Sequence, residues 1–251
     1  MVTVLSCDIG LLNLSFCIMQ SNENKDISQF KILLWDVYDT LDIPTLLCQE
    51  IQKNKKICNK KASLKKETNY YCKKHFPKDV SIQKKNKYSK KKISSFSLQD
   101  IGTTFLNKVQ TIYSENQDIF EKVDSIHIEL QPKVARKMIF VSHILYGKFI
   151  DLYKGTSVPI KFVRASQKLK AYTGPEINCH LKTPYARRKW LSVEYTKWFL
   201  ENKFSKEQKE LWLPKLLNNK KGDDVGDTFT MSINAIIGVP KTKQKNGDDI
   251  K

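Results

Sequence analysis

Four carboxylates stand where the hydrophobic pattern of the chain does not call for a surface residue. Asp8 follows the β-prone run Val2, Thr3, Val4, Leu5 and takes a place where a buried strand would carry another apolar side chain. A charge there is costly unless it is paired or bound to a cation. Glu129 falls at the end of another apolar run, after Ile126 and Ile128 and just before Gln131 and Pro132. Asp224 and Asp227 are three residues apart in a helical pattern, so they share one face. If that helix crosses the sheet near the two strands, four acids meet, and divalent cations would offset their mutual repulsion. Oxygen-only ligands suit Mg²⁺ or Mn²⁺. Two such ions about 4 Å apart activate a water and stabilise the leaving oxygen of a phosphodiester. Plainer readings stand beside this one. Asp8 could bond turn amides next to Gly10, Glu129 could close a salt bridge, and Asp224 with Asp227 could form a solvated first helical turn.

A second set of residues has a different chemistry. Cys48, Cys58, Cys72 and His75 read C-x9-C-x13-C-x2-H, and three thiolates with one imidazole satisfy a tetrahedral, structural Zn²⁺. The surrounding segment is so poor in apolar residues that metal binding would have to supply the free energy its core cannot. The alternative is three free cysteines in a disordered basic loop. Tyr70, Tyr71 and Phe76 are expected to pack beside the ligands. Cys7 and Cys17 lie in apolar strands and Cys179 in a loop, so the six cysteines do not make a disulfide framework. His127 and His143 are expected in the core.

The elements that position these residues follow from periodicity. Leu12, Leu14, Phe16 and Ile18 alternate after Gly10, which predicts a hairpin with Asp8 near its turn, and residues 31–38 predict a third strand. Residues 94–113 are helical, with Ser97 and Asp100 at the start, 123–130 a strand and 138–153 an apolar helix. A strand over 158–164 leads into a polar loop, then a helix over 184–201 with Trp190, Val193, Trp198 and Leu200 as its apolar face. A last helix covers 223–237, with Asp223 as its cap. This order predicts an α/β fold: a mixed five-stranded sheet with flanking helices. Residues 1–38 and 94–238 form that domain, 39–93 a basic insertion that could bind zinc, and 239–251 a disordered tail.

Charge points to the partner. The 251 residues carry a formal charge of +18, and residues 53–92 alone hold sixteen lysines against Glu67 and Asp79. Such an excess marks a polyanion, with nucleic acid ahead of an anionic membrane. No apolar run approaches the roughly 18 residues of a transmembrane helix, and no basic leader precedes the first strand. A soluble, non-secreted protein without a membrane partner is expected. Lys168 and Lys170 suit phosphate contacts, and Arg187, Arg188 and Lys189 cluster in the first turn of a helix. A cation there could stabilise charge on a metal-bound phosphate, or the turn could simply touch backbone.

Four motifs carry a resemblance: CDIGLLNLSFCI at 7–18, IELQP at 128–132 followed by SHILYGKF, YARRKWLSVE at 185–194 and DDVGDTFTMSINA at 223–235. Together they resemble the Holliday-junction resolvases of poxviruses and other large nucleocytoplasmic DNA viruses, relatives of RuvC and the mitochondrial resolvases in the ribonuclease H-like superfamily. The resemblance implies a ribonuclease H-like domain with metal-binding carboxylates at Asp8, Glu129, Asp224 and Asp227 and a catalytic or phosphate-contacting Lys189. It implies a homodimer that makes paired nicks in four-way DNA junctions, with Mg²⁺ or Mn²⁺ as a pair of ions. The setting would be viral replication and recombination in the cytoplasm of the host cell. Leu130 departs from the polar residue common after the glutamate.

Two other classes compete. An actin-like ATPase also opens on a strand ending in Asp-x-Gly, but it needs a second glycine-rich phosphate loop, and Gly222 and Gly226 flank acids instead. A non-catalytic, zinc-containing DNA-binding module would need only the charge and the cysteines.

Overall fold

The structure, a computed structural model, describes residues 1–41, 46–88, 93–219 and 221–238, so the expected disordered tail lies outside the described residues. The chain divides into two compact units, Met1–Thr40 with Leu98–Lys251, and Leu41–Ser97.

Three antiparallel strands open the larger unit: β1 (Val2–Ile9), β2 (Asn13–Ser21) and β3 (Lys31–Asp39). The β1–β2 turn is tight, with the Gly10 N–H donating to the Asn13 carbonyl at 2.7 Å. A Cβ on Gly10 would stand 3.1 Å from that same oxygen. The smaller unit then contributes a short hairpin, β4 (Leu64–Lys66) and β5 (Asn69–Tyr71). The chain returns through helices α1 (Leu98–Glu115) and α2 (Gln117–Phe120), strand β6 (Ser125–Glu129), helix α3 (Arg136–Leu152) and strand β7 (Ile160–Val163). A 3-10 segment, Ala165–Ala171, follows. Three helices end the unit: α4 (Pro184–Asn202), α5 (Lys206–Asn218) and α6 (Gly222–Ile237).

The strand order is β3-β2-β1-β6-β7, with β6 parallel to β1 and β7 parallel to β6. This is the mixed five-stranded α/β arrangement that the sequence predicts. Both faces of β2 are buried, because helices cover the sheet on each side. Phe16 meets Phe120 and Phe149 on the face of α1 to α3. Cys17, Met19 and Trp35 join Phe199, Trp212, Phe229 and Ile233 in the core on the face of α4 to α6.

Helix α6 lies over β1 and β2 on small hydroxyls as well as apolar groups. Ser15 Oγ is 3.1 Å from Thr228 Oγ1, and Ser232 Oγ donates to Ser6 Oγ at 2.9 Å. Its other neighbour is α4, and there the structure adds to the sequence reading. The side chains α4 buries are Ser192, Thr196, Phe199 and Leu200, while Trp190, Val193 and Trp198 are half-buried. The cause is close helix approach: a Cβ on Gly226 of α6 would lie 2.9 Å from the Ser192 carbonyl oxygen, so only small residues fit the crossing. Helix α5 is not anticipated by the sequence reading. It guards the edge of the sheet, where the β3 N–H of Ile32 donates to Gln208 Oε1 at 2.8 Å and Lys215 reaches Asp36 at 3.0 Å. His143 is exposed against the Phe162 ring and not in the core, and His127 is half-buried.

Candidate active site

The parallel strands β1 and β6 run side by side, so their C-terminal ends share one edge of the sheet, the position where open α/β sheets bind ligands. Asp8 is the penultimate residue of β1 and Glu129 the last of β6. Cross-strand pairing sets Asp8 opposite Ser15, the residue that bonds Thr228 of α6, so Asp8 faces that helix. Asp227, next to Thr228, completes the group. Carboxylate oxygens of Asp8, Glu129 and Asp227 all lie within 4.8 Å of one another. Asp224, one turn earlier on α6, lines the same cleft without joining that tight triad. It sits in the first helical turn, where the dipole favours acids.

Two lysines answer this charge. Lys168, from the 3-10 segment beyond β7, is 8 % exposed, donates to Glu129 Oε1 at 3.2 Å and bonds Asp227. Lys189, from the first turns of α4, bonds Asp223, lies 3.8 Å from Asp224 Oδ1 and stands over the Tyr185 ring at 5.2 Å. Asp223 is therefore an ion-pair partner and not the cap expected from the sequence. Arg188 also lines the cleft, whereas Arg187 and Lys170 are exposed and do not.

The electrostatics are those of crowded acids. Burial, then a hydrogen bond shared with Glu129, holds the Asp8 carboxyl well above the usual carboxylate range. Asp224 is pushed up to about 6, first by burial and then by Asp223 and Asp8. Burial raises Asp227 too, with Lys168 opposing it. For Lys168, burial favours the neutral amine, but Asp8, Asp227 and Glu129 outweigh it and keep the ammonium. Buried carboxylates that must share protons or borrow a lysine have the composition of a divalent-cation site, and all the candidate ligand atoms are oxygens.

The four acids read from the sequence line this cleft, and Lys168, read there as a phosphate contact, is engaged with Glu129 and Asp227. The available signal was its position, just beyond the C-terminal end of a strand parallel to the one carrying Glu129.

The smaller unit holds a second candidate metal group. One ligand atom each from Cys48, Cys58, Cys72 and His75 lies within 4.8 Å of the others. All six cysteines are free thiols. Tyr71 packs edge-on against Phe76 and Tyr70 against Tyr88.

Fold and site together define an α/β protein with a carboxylate cluster at the C-terminal ends of the parallel strands of a mixed five-stranded sheet. No family model matches the chain. A protein of Acanthamoeba polyphaga mimivirus, described as uncharacterized protein L451, is 28 % identical over 78 % of this chain and 51 % of its own length, so the chain spans about half of that relative. Among the similar solved structures are Holliday junction resolvases. The yeast mitochondrial resolvase Ydc2 is 13 % identical with a TM-score of 0.47, over 94 % of this chain and 79 % of that one. The fowlpox virus resolvase, solved with substrate Holliday junction DNA, is 12 % identical with a TM-score of 0.46, over 96 % and 100 %. Thermus thermophilus RuvC is 10 % identical with a TM-score of 0.47, over 95 % and 98 %.

Proposed function

We propose that this protein is a divalent-metal-dependent, structure-specific endonuclease that resolves four-way DNA junctions by paired phosphodiester hydrolysis. The observation that carries the reading is the convergence of Asp8, Glu129 and Asp227, with Asp224 in the same cleft. The junction as substrate rests on the resemblance of the four sequence motifs, and a role in viral DNA replication or recombination in the host cytoplasm rests on it as well.

In this reading Asp8, Glu129 and Asp227 hold one Mg²⁺ or Mn²⁺, and Asp224 helps to hold a second. Bound there, the ions supply an activated water and charge stabilisation at the leaving oxygen. Lys189 and Arg188 bind the scissile strand's phosphates from α4. Asp223 and the Tyr185 ring orient Lys189 for that contact. Lys168 balances acid charge while the carboxylates wait for cations. The cysteine and histidine group of the smaller unit holds Zn²⁺ rather than Mg²⁺, because thiolates are soft ligands. The working form is a homodimer, since two nicks placed symmetrically about a junction call for two sites.

The test is cleavage of a labelled four-way junction and of a matched linear duplex in Mg²⁺, comparing the wild type with Asp8→Asn, Glu129→Gln and Asp227→Asn. Symmetric nicks on the junction are expected, with each variant at least 100-fold slower but still binding, because electrostatic affinity rests on the lysines. Binding without any cleavage by the wild type would select the non-catalytic reading. Ca²⁺, larger and less exacting in its geometry, is expected to support binding without turnover.

A further inference from the structure

The 57 residues Leu41–Ser97 pose a stability problem. The large apolar side chains buried there, among the described residues, are Leu41, Leu64 and Phe76. That is far too little for a unit of this size, since domains below about 70 residues need a metal or disulfides to supplement the core. The remaining buried cluster is made of Cys48, Cys58 and Cys72 alone. They are not disulfides, because Cys58 Sγ and Cys72 Sγ are 4.0 Å apart where a bond needs about 2.05 Å.

The separations instead match the edges of a tetrahedron. Zn–S bonds of about 2.3 Å and Zn–N bonds of about 2.05 Å give an S···S edge of about 3.8 Å and an S···N edge of about 3.6 Å. The structure has 4.0 Å for Cys58 Sγ to Cys72 Sγ and 3.6 Å for Cys48 Sγ to His75 Nδ1. The backbone holds these ligands in place. Cys48 N–H donates to Lys60 O at 2.7 Å, Cys58 N–H to Glu50 O at 2.9 Å, and His75 N–H to Cys72 O at 3.1 Å, closing the C-x2-H turn.

The surface of the unit is the second half of the argument. Residues 41–97 contain sixteen lysines against four acids, so they carry +12 of the chain's +18. Of the described lysines in this stretch, all except Lys66 are exposed. Among the described residues, no salt bridge pairs any of them with an acid. The tyrosines that might have stacked on bases are instead engaged with Tyr88 and Phe76. Exposed lysines without free aromatic platforms suit phosphate backbone and not base readout.

We propose that Leu41–Ser97 is a zinc-nucleated module, held by Cys48, Cys58, Cys72 and His75, whose exposed lysines grip nucleic-acid backbone without regard to sequence. The metal site stands on its own geometry, and the choice of nucleic acid over another polyanion rests on the nuclease reading above. The module is a metal-dependent fold: without zinc its backbone opens, while the larger unit, which has its own core, stays folded.

The experiment uses the full-length chain purified without chelators. Metal analysis is expected to find one zinc per chain, and cobalt(II) replacing it should show the visible bands of tetrahedral thiolate coordination. Cys58→Ser and Cys72→Ser should each lose the metal, with new proteolytic cuts confined by mass mapping to 41–97, whereas Cys179→Ser keeps both metal and resistance. Absence of zinc, an octahedral cobalt spectrum, or retention of metal in both variants overturns the site. On linear duplex in chelator-free buffer without Mg²⁺, the quadruple variant Lys53→Gln, Lys55→Gln, Lys56→Gln, Lys60→Gln should keep its zinc and bind more weakly. Its slope of log K against log salt should flatten by roughly 0.9 for each phosphate that is no longer neutralised. An unchanged slope, or tighter binding of the wild type to phosphatidylserine vesicles than to duplex, overturns the nucleic-acid role. None of these readouts needs cleavage, so failure of the nuclease reading and failure of this proposal are told apart.

Discussion

Lys168 sets its ammonium against the acid triad, and its removal should expose that. With its side chain 9 % exposed and its ammonium on Glu129 and Asp227, Lys168→Met leaves three half-buried acids without that counter-charge. A loss of about 3 kcal/mol in EDTA is expected. Mg²⁺ should then raise the melting temperature more in the variant than in the wild type, because no ammonium competes for the carboxylates; equal Mg²⁺ shifts would remove Lys168 from the site. Acid titration has a definite sign here. Asp224 holds its proton more tightly folded, at about 6, than unfolded, where an aspartate titrates near 3.9. That contribution to stability is complete below the unfolded value and is lost as pH rises through the folded one. In EDTA, the stability of wild type minus that of Asp224→Asn should therefore fall between about pH 4 and 7, and a difference that is flat or rises with pH would contradict it. At this scale the acids were legible in the sequence, since a charge at the end of an apolar strand is an anomaly. Lys168 was not, because a lysine in a polar loop looks the same whether it faces solvent or turns into a cleft.

Among the elements, α6 carries the most: two acids of the cleft, the hydroxyl contacts to the sheet and the close crossing with α4. Gly226 sits between Asp224 and Asp227 at that crossing, and an added methyl would meet the Ser192 backbone. Gly226→Ala should cost about 1–3 kcal/mol by overpacking and shift both acids, seen as a lower urea midpoint and a loss of nuclease rate. Gly147 in α3 is the control. A methyl added to it would meet nothing within 4 Å, so Gly147→Ala should raise the midpoint, by a gain in stability of up to about 1 kcal/mol through helix propensity alone. Matching effects at the two glycines would deny the crossing its role. Strands and long helices were legible because their apolar periods are strong. The buried face of α4 was read only in part: Val193, Trp198 and Leu200 pack on the core as expected, but tight packing also selects Ser192 and Thr196, which look polar in sequence. Helix α5 was missed because Pro214 and scattered lysines blur its pattern. Its one clear signal is Ser205, whose hydroxyl accepts the Gln208 N–H at the N-terminus.

For the whole molecule, the proposed homodimer is open to a direct measurement. Light scattering should give twice the 29.2 kDa chain mass at micromolar concentration, and a persistent monomer, free and on DNA, would refute it. The apolar helix α3 turns its Val141, Leu145 and Phe149 into the protein's own core and leaves Ile150 exposed. None of the described helices is long and apolar enough to cross a membrane. The two candidate metal groups also differ in how far apart their ligands lie along the chain. The thiols and imidazole span residues 48–75, whereas the acid triad and Lys168 draw on residues 8, 129, 168 and 227. During synthesis the first set is complete while most of the chain has yet to be made, and short loops close early and fast. The second cannot exist until α6 has emerged and crossed the sheet. A nascent or truncated chain that stops short of α6 would therefore carry the complete thiol and imidazole set but only part of the acid cluster.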